Sequence, residues 1–117
     1  MINPIRLSRL MGDEYNIKIL AASFKIPKSA QELSTKFDIP IAACYRRIHE
    51  LEESRLLECK ERILNRNGKR VKLYQSKVKG LYLYYENGKL RVRMETTGSN
   101  QTEDETWDAM EKMHNDY

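Results

Sequence analysis

From Asn3 to about Ser54 the apolar residues recur every three or four positions, and from Leu56 to Glu95 they largely alternate with polar ones. The pattern predicts helices first and strands afterwards. Asn3-Pro4 caps and starts a short helix with Leu7, Leu10 and Met11 on one side. Gly12-Asp13 opens a second helix whose core stripe is Ile17, Leu20, Ala21 and Phe24, and Pro27 closes it. Ser29 and Glu32 form an S-x-x-E capping box, so another helix begins there and buries Ala30, Leu33 and Phe37. Asp38 ends it, because Asp tolerates the left-handed backbone of a helix C-terminus, and Pro40 presets the first turn of the next helix. That helix, roughly Pro40 to Ser54, turns Ile41, Cys44, Ile48 and Leu51 inward. At about 100° per residue Arg46 lies opposite that stripe, with Ala42 and His49 beside it and Tyr45 and Arg47 on the shoulders.

Two hairpins follow. Leu56 to Leu64 and Arg70 to Gln75 flank Asn67-Gly68. A two-residue turn there would put the apolar residues of the two strands on opposite faces, whereas a three-residue loop, Arg66-Asn67-Gly68, pairs Ile63 with Val71. The second register predicts one apolar face of Leu57, Cys59, Ile63, Val71 and Leu73, with Lys60, Arg62, Arg70 and Lys72 pointing outward. In LYLYYENGKLRVRME, Asn87-Gly88 suits a type I′ turn that sets Leu81, Leu83 and Tyr85 against Leu90, Val92 and Met94, and Tyr82 and Tyr84 opposite Arg93 and Arg91. A lone hairpin is marginal and needs a partner surface. The organisation expected is a domain over 1–95, a linker over 96–101, and an acidic helix over 102–117 that Thr102 and Glu105 cap and that carries Trp107, Met110 and Met113 on one side.

Charge sharpens this picture. The net charge of the 117 residues is +4, but from Thr102 onward six acids face one lysine, a net of −5, which leaves +9 on residues 1–101. Between Arg62 and Tyr85 there is no acid, while Arg62, Arg66, Lys69, Arg70, Lys72, Lys77 and Lys79 supply seven cations. A block of this kind is the footprint of a polyanion binder, although a basic surface can also be merely solvated. The composition, 40% apolar and 32% charged, suits a folded soluble chain of one domain with at most a short appendage. No apolar run is long enough for a membrane span or a signal peptide, so no membrane partner is expected and the cytoplasm is the expected location. The two cysteines, Cys44 and Cys59, belong to no CxxC or Cys/His cluster.

Helix, tight turn, helix with Tyr45-Arg46-Arg47, then a basic hairpin is the outline of a winged helix-turn-helix. The expected class is α+β, mainly α, with an additional β-hairpin and a terminal helix. The succession GDEYNIKIL, SAQELSTKFDIP, CYRRIHELEESRLLE and a wing ending in KLYQ resembles the ArsR-like winged-helix transcription regulators, particularly the small archaeal ones, over about residues 7–95. The resemblance implies a homodimeric regulator of transcription on double-stranded DNA, with Ala42, Tyr45, Arg46, Arg47 and His49 on the groove side. Three departures stand out: Arg55 occupies a place where the family usually has Gly, Pro40 replaces a Ser/Thr cap, and the thiolate metal box is missing.

For the chemistry, Arg46 and Arg47 offer planar forks for guanine or phosphate, and Glu50 and Glu53 offer salt bridges to the same side chains if the face is only solvated. Ala42 and Ala43 would let the helix approach base edges. Arg66, Lys69, Arg70 and Lys72 would lie along phosphates, or simply discourage edge-to-edge aggregation. Leu7, Leu10, Trp107, Met110 and Met113 are the candidate dimerisation residues. Neither His49 nor His114 has a partner at metal-ligand spacing, so no metal and no cofactor is expected. Cys44 reads as a small buried hydrophobe, with a redox pair to Cys59 as the minor alternative. No catalytic motif is present, and an enzyme is not expected. Two other functions compete: a protein-docking winged helix, disfavoured by the cationic helix face, and RNA binding through Tyr82, Tyr84 and Tyr85.

Overall fold

The computed structural model describes residues 3–98 and 102–108. In chain order the elements are α1 (Pro4–Met11), α2 (Glu14–Ala22), α3 (Ala30–Phe37), α4 (Ile41–Glu53), β1 (Leu57–Leu64), β2 (Arg70–Ser76), β3 (Val78–Glu86), β4 (Lys89–Thr96) and β5 (Thr102–Asp108). The class is α+β. Strands occupy as much of the described chain as helices do, so the expectation of a mainly α protein is corrected. The chain divides into two compact units, residues 11–77 and the described part of 1–10 with 78–117. The boundary near residue 77 thus falls inside the single domain expected over 1–95.

In the unit of residues 11–77, Asp13 caps α2 by accepting hydrogen bonds from the backbone N–H groups of Tyr15 and Asn16. The buried stripe of α2 is Asn16, Ile19 and Leu20, and Ser23 just beyond it is also buried. This corrects the expected stripe by one residue, about 100° of rotation; Ile17 is 45% exposed. The polar Ser23 tolerates burial because its hydroxyl donates to the Ile19 carbonyl at 2.8 Å. In α3 the Ser29/Glu32 capping box forms in both directions. Asp38 sits at φ 54, and the Ile39 N–H reaches back to the Ser34 carbonyl.

On α4, Cys44, Ile48 and Leu51 are fully buried, and the two aliphatics contribute roughly 1.5–3 kcal/mol each. Ile41, placed on that stripe by periodicity, is exposed instead, because it begins the helix at its outer end. Pro40 provides no side-chain cap, so the N-terminus of α4 relies on its preset backbone. The C-terminus closes as a Schellman motif: the Arg55 N–H donates to the Glu52 carbonyl, the Leu56 N–H donates to the Leu51 carbonyl, and Leu51 and Leu56 are both buried. Arg55 therefore takes φ 62, a conformation that costs a side-chain-bearing residue about 1–2 kcal/mol. Arg55→Gly removes that strain and adds about 0.5–1 kcal/mol of unfolded-chain entropy, so a net stabilisation of up to about 1 kcal/mol is expected in urea unfolding.

β1 and β2 pair antiparallel with Ile63 opposite Val71, and Gly68 takes φ 74 in a loop closed by the Asn65 N–H on the Lys69 carbonyl. The three-residue loop is therefore as the pattern required. The one-sided apolar face is not. The register shifts between Cys59 and Glu61, so Lys60 is an extra residue and the pleat changes phase there. Leu57, Tyr74 and Ser76 share the buried face, Ile63, Val71 and Leu73 lie on the other, and Arg62, Arg70 and Lys72 return to the side of Tyr74. Ile63 is consequently 44% exposed. Lys28 and Tyr74 exchange two backbone hydrogen bonds of 2.8 Å, which ties the start of α3 to β2.

The second unit is a sheet of order β3-β4-β5 together with α1. Its hairpin has the expected register in full, Leu83 opposite Val92 and Tyr84 opposite Arg91, with Asn87 and Gly88 at φ 53 and 75. The terminal segment departs from expectation: Thr102–Asp108 is a strand, so the helix read from Thr102 and Glu105 is corrected. β5 lies on β4 with Trp107 opposite Leu90 and Arg93 joined to Asp104 at 2.9 Å. A capping signature is a local preference, and a cationic strand offering open hydrogen bonds to an acidic, Thr-containing one overrides it. Among the described residues of this unit, Pro4, Leu7, Leu10, Val92 and Met94 are the buried apolar ones.

Candidate nucleic-acid interface

The outer face of α4 is set by the burial of its inner one. With Cys44, Ile48 and Leu51 enclosed, Ala42, Tyr45, Arg46 and His49 are exposed and Ala43 is half-buried. Tyr45 and His49 lie edge to face, one helical turn apart, with ring centroids 6.5 Å apart. Arg46 makes no salt bridge with any described residue.

Arg47 is differently placed. Its guanidinium holds the Asp13 carboxylate through Nε and Nη2, both at 3.1 Å, and lies 5.0 Å from the centre of the Tyr15 ring. Its side chain is only 16% exposed. The expectation that Arg47 faces a groove is corrected: it fastens α4 to the N-terminus of α2. Burial alone would raise the Asp13 carboxyl, but hydrogen bonds from Arg47, Tyr15 and Asn16 and the Arg47 charge outweigh it and hold it below the usual carboxylate range.

Arg66, Lys69, Arg70 and Lys72 are all exposed on the hairpin. Because of the phase change at Lys60, Arg70 and Lys72 come beside α4, where they line a cleft of about 380 Å³ together with Tyr45 and His49. Ser29, Ala30 and Gln31 at the start of α3 close one side of it, and Val71 and Tyr74 come from β2. Arg66 and Lys69 stand at the hairpin tip, outside this lining, as Ala42, Ala43 and Arg46 do on α4. Burial pushes the Tyr74 phenol up to about 12, with the Glu52 carboxylate adding to the effect, so it remains a protonated donor at neutral pH. Gln31 and Tyr74 escaped the sequence reading. The signal for Gln31 was its position two residues after the Ser29 cap, where a helix start offers N–H groups to an anion; for Tyr74 there was none before the bulge was seen.

Cys44 donates its thiol to the Ala30 carbonyl at 3.6 Å, and burial pushes its pKa up, so the unreactive thiol dominates. Both cysteines are free. Leu7 and Leu10 are buried within their own chain and offer a partner little surface, while Trp107 is half-buried in β5. Met110, Met113 and His114 lie outside the described residues. Among the described residues no three His, Cys, Asp or Glu side chains gather as a metal site would require, and no helix is long and apolar enough to cross a membrane. No family model matches the chain, and comparison with curated proteins finds no match.

Proposed function

We propose that the chain is a winged helix-turn-helix regulator of transcription that binds duplex DNA, with α4 in the major groove and the β1-β2 hairpin as the wing. It acts in the cytoplasm as a binding protein and not as an enzyme. The observation that carries this reading is the cleft in which Tyr45 and His49 of α4 meet Arg70 and Lys72 of a hairpin that carries no acid after Glu61. A helix face that is small, aromatic and cationic suits base edges, and cations flanking it suit the phosphates on either side of the groove. The ArsR-like resemblance points the same way. RNA binding through the tyrosine hairpin is less well supported, because Arg91 and Arg93 beside those tyrosines are paired with Glu86 and Asp104.

Arg46 is the residue best placed for base reading. Arg46→Ala is expected to cost about 1–3 kcal/mol at one base position if its contact is bidentate. Selection from a random duplex pool, followed by competition with scrambled duplexes, checks this; an unchanged sequence preference would remove Arg46 from the reading surface.

A homodimer belongs to the same proposal, since two-fold symmetric half-sites about 34 Å apart are how such small modules gain specificity. Sedimentation of the full chain, alone and with a palindromic duplex, tests it. A single copy bound per palindrome defeats the dimer and leaves the groove contacts standing.

A further inference from the structure

The joint between α2 and α3 exposes large apolar side chains that no helix stripe needs. Phe24 is 39% exposed and Ile26 is 62% exposed. This exposure is enforced by hydrogen bonds. The Gln75 side-chain amide of β2 donates to the carbonyls of Phe24 and Lys25, and the Ser76 N–H donates to the Ser23 carbonyl. The backbone of this joint is thus pinned to β2 with both side chains outward. Phe24 and Ile26 line a shallow depression of about 310 Å³ floored by Ala21 and Ala22, and a second of about 440 Å³ along α3 shares Lys28 and Lys36 with it.

Lys25, Lys28 and Lys36 rim this surface, and among the described residues none forms a salt bridge. The nearest acid in the lining, Glu32, is committed to the Ser29 backbone by the capping box. Lysines alone would suit phosphates as well. A fixed apolar pair between them does not, because phosphate contacts gain nothing from Phe and Ile, while exposed apolar patches rimmed by charge are characteristic of protein contacts.

We propose that this shelf docks an acidic amphipathic peptide segment of a partner protein, its bulky side chains on Phe24 and Ile26 and its carboxylates on Lys25, Lys28 and Lys36. Preorganisation of the joint by Gln75 lowers the entropy lost on docking. The inference stands apart from the DNA reading, because Phe24, Lys25, Ile26, Lys28 and Lys36 all lie outside the cleft of Tyr45, His49, Arg70 and Lys72, and only the depression along α3 borders it, through Ser29 and Gln31.

The test is fluorescence anisotropy of the full chain with a short labelled peptide alternating Asp-Glu and Leu-Phe pairs, against oligo-aspartate of equal charge, with duplex binding measured in parallel. Saturable binding of the amphipathic peptide is expected, weakened about tenfold or more in Phe24→Ser/Ile26→Ser and in the exposed charge reversal Lys25→Glu/Lys36→Glu. Gln75→Ala, which leaves the surface residues intact, is expected to weaken it several-fold. Oligo-aspartate binding as tightly as the amphipathic peptide overturns the proposal, as does an unchanged affinity in either double variant. Variants that lose duplex affinity in a chain that never bound peptide overturn it too and assign the lysines to phosphate. Loss of duplex binding in cleft variants alone bears only on the DNA reading.

Discussion

Neutralising Arg66, Lys69 and Arg70 together weakens binding to every duplex, specific or scrambled, by the same factor. Each lysine or arginine on a phosphate contributes about 0.9 to the slope of log affinity against log salt. Three lost contacts therefore flatten the slope by nearly three and, at about 0.1 M salt, lower affinity by roughly two to three orders of magnitude. The expectation rests on a hairpin whose residues 61–70 are all exposed and whose cations have no acid between Arg62 and Tyr85. Because these side chains are exposed, the melting temperature of the triple variant should stay within a few degrees of the parent. A titration series in salt decides the matter: a triple variant that keeps the parent slope would show that the hairpin does not touch phosphate, whatever α4 does.

The second large effect concerns stability. Asp13→Ala removes the cap of α2 and leaves the mostly buried Arg47 guanidinium without its partner. The cap is worth about 1 kcal/mol, and a hydrogen-bonded charge pair of this partial burial about as much or somewhat more after allowance for solvent. A loss of roughly 2–3 kcal/mol is expected, which lowers the melting temperature of a unit this size by roughly 10–20 °C. Asp13→Asn separates the two contributions, since Asn caps as well as Asp but carries no charge. The depressed Asp13 pKa fixes the pH dependence. A carboxyl whose folded pKa lies below its unfolded value, about 3.9, stabilises fully above that value and loses the contribution as pH falls through the folded one. The gap between the parent and Asp13→Asn should thus be constant near neutrality and shrink only as the solution is acidified below about pH 4. Arg47→Ala should lower the melting temperature while leaving the salt slope of duplex binding unchanged, which distinguishes a residue that positions α4 from one that holds phosphate.

Much of this architecture was readable from neighbours along the chain. The Ser29/Glu32 box, the left-handed Asp38, the three-residue loop at Gly68 and the type I′ turn at Asn87-Gly88 all involve residues within a few positions of one another. Caps and turns are local solutions to the problem of orphaned backbone groups and positive φ, so the residues that solve it stand next to the problem. The face of α4 carrying Tyr45, Arg46 and His49 was legible for a related reason: Cys44, Ile48 and Leu51 admit one rotation of the helix.

Where two phases were open, the sequence by itself did not choose. α2 could bury Ile17, Leu20, Ala21 and Phe24 or, one residue over, Asn16, Ile19, Leu20 and Ser23; the fold buries the second set, with the Ser23 hydroxyl satisfied locally by the Ile19 carbonyl, and that leaves Phe24 outside. Lys60 carries no mark of a bulge, yet its insertion reverses the pleat and brings Arg70 and Lys72 to the cleft of Tyr45 and His49. Arg47 looked like its neighbour Arg46 until Asp13, 34 residues away in the chain, claimed it. The segment from Thr102 had a helix's cap and became a strand, since β4 offered unpaired backbone and opposite charge. Local chemistry determined where elements begin, end and turn; contacts between residues far apart in sequence decided which side of each element faces in, and with it which cations stay exposed.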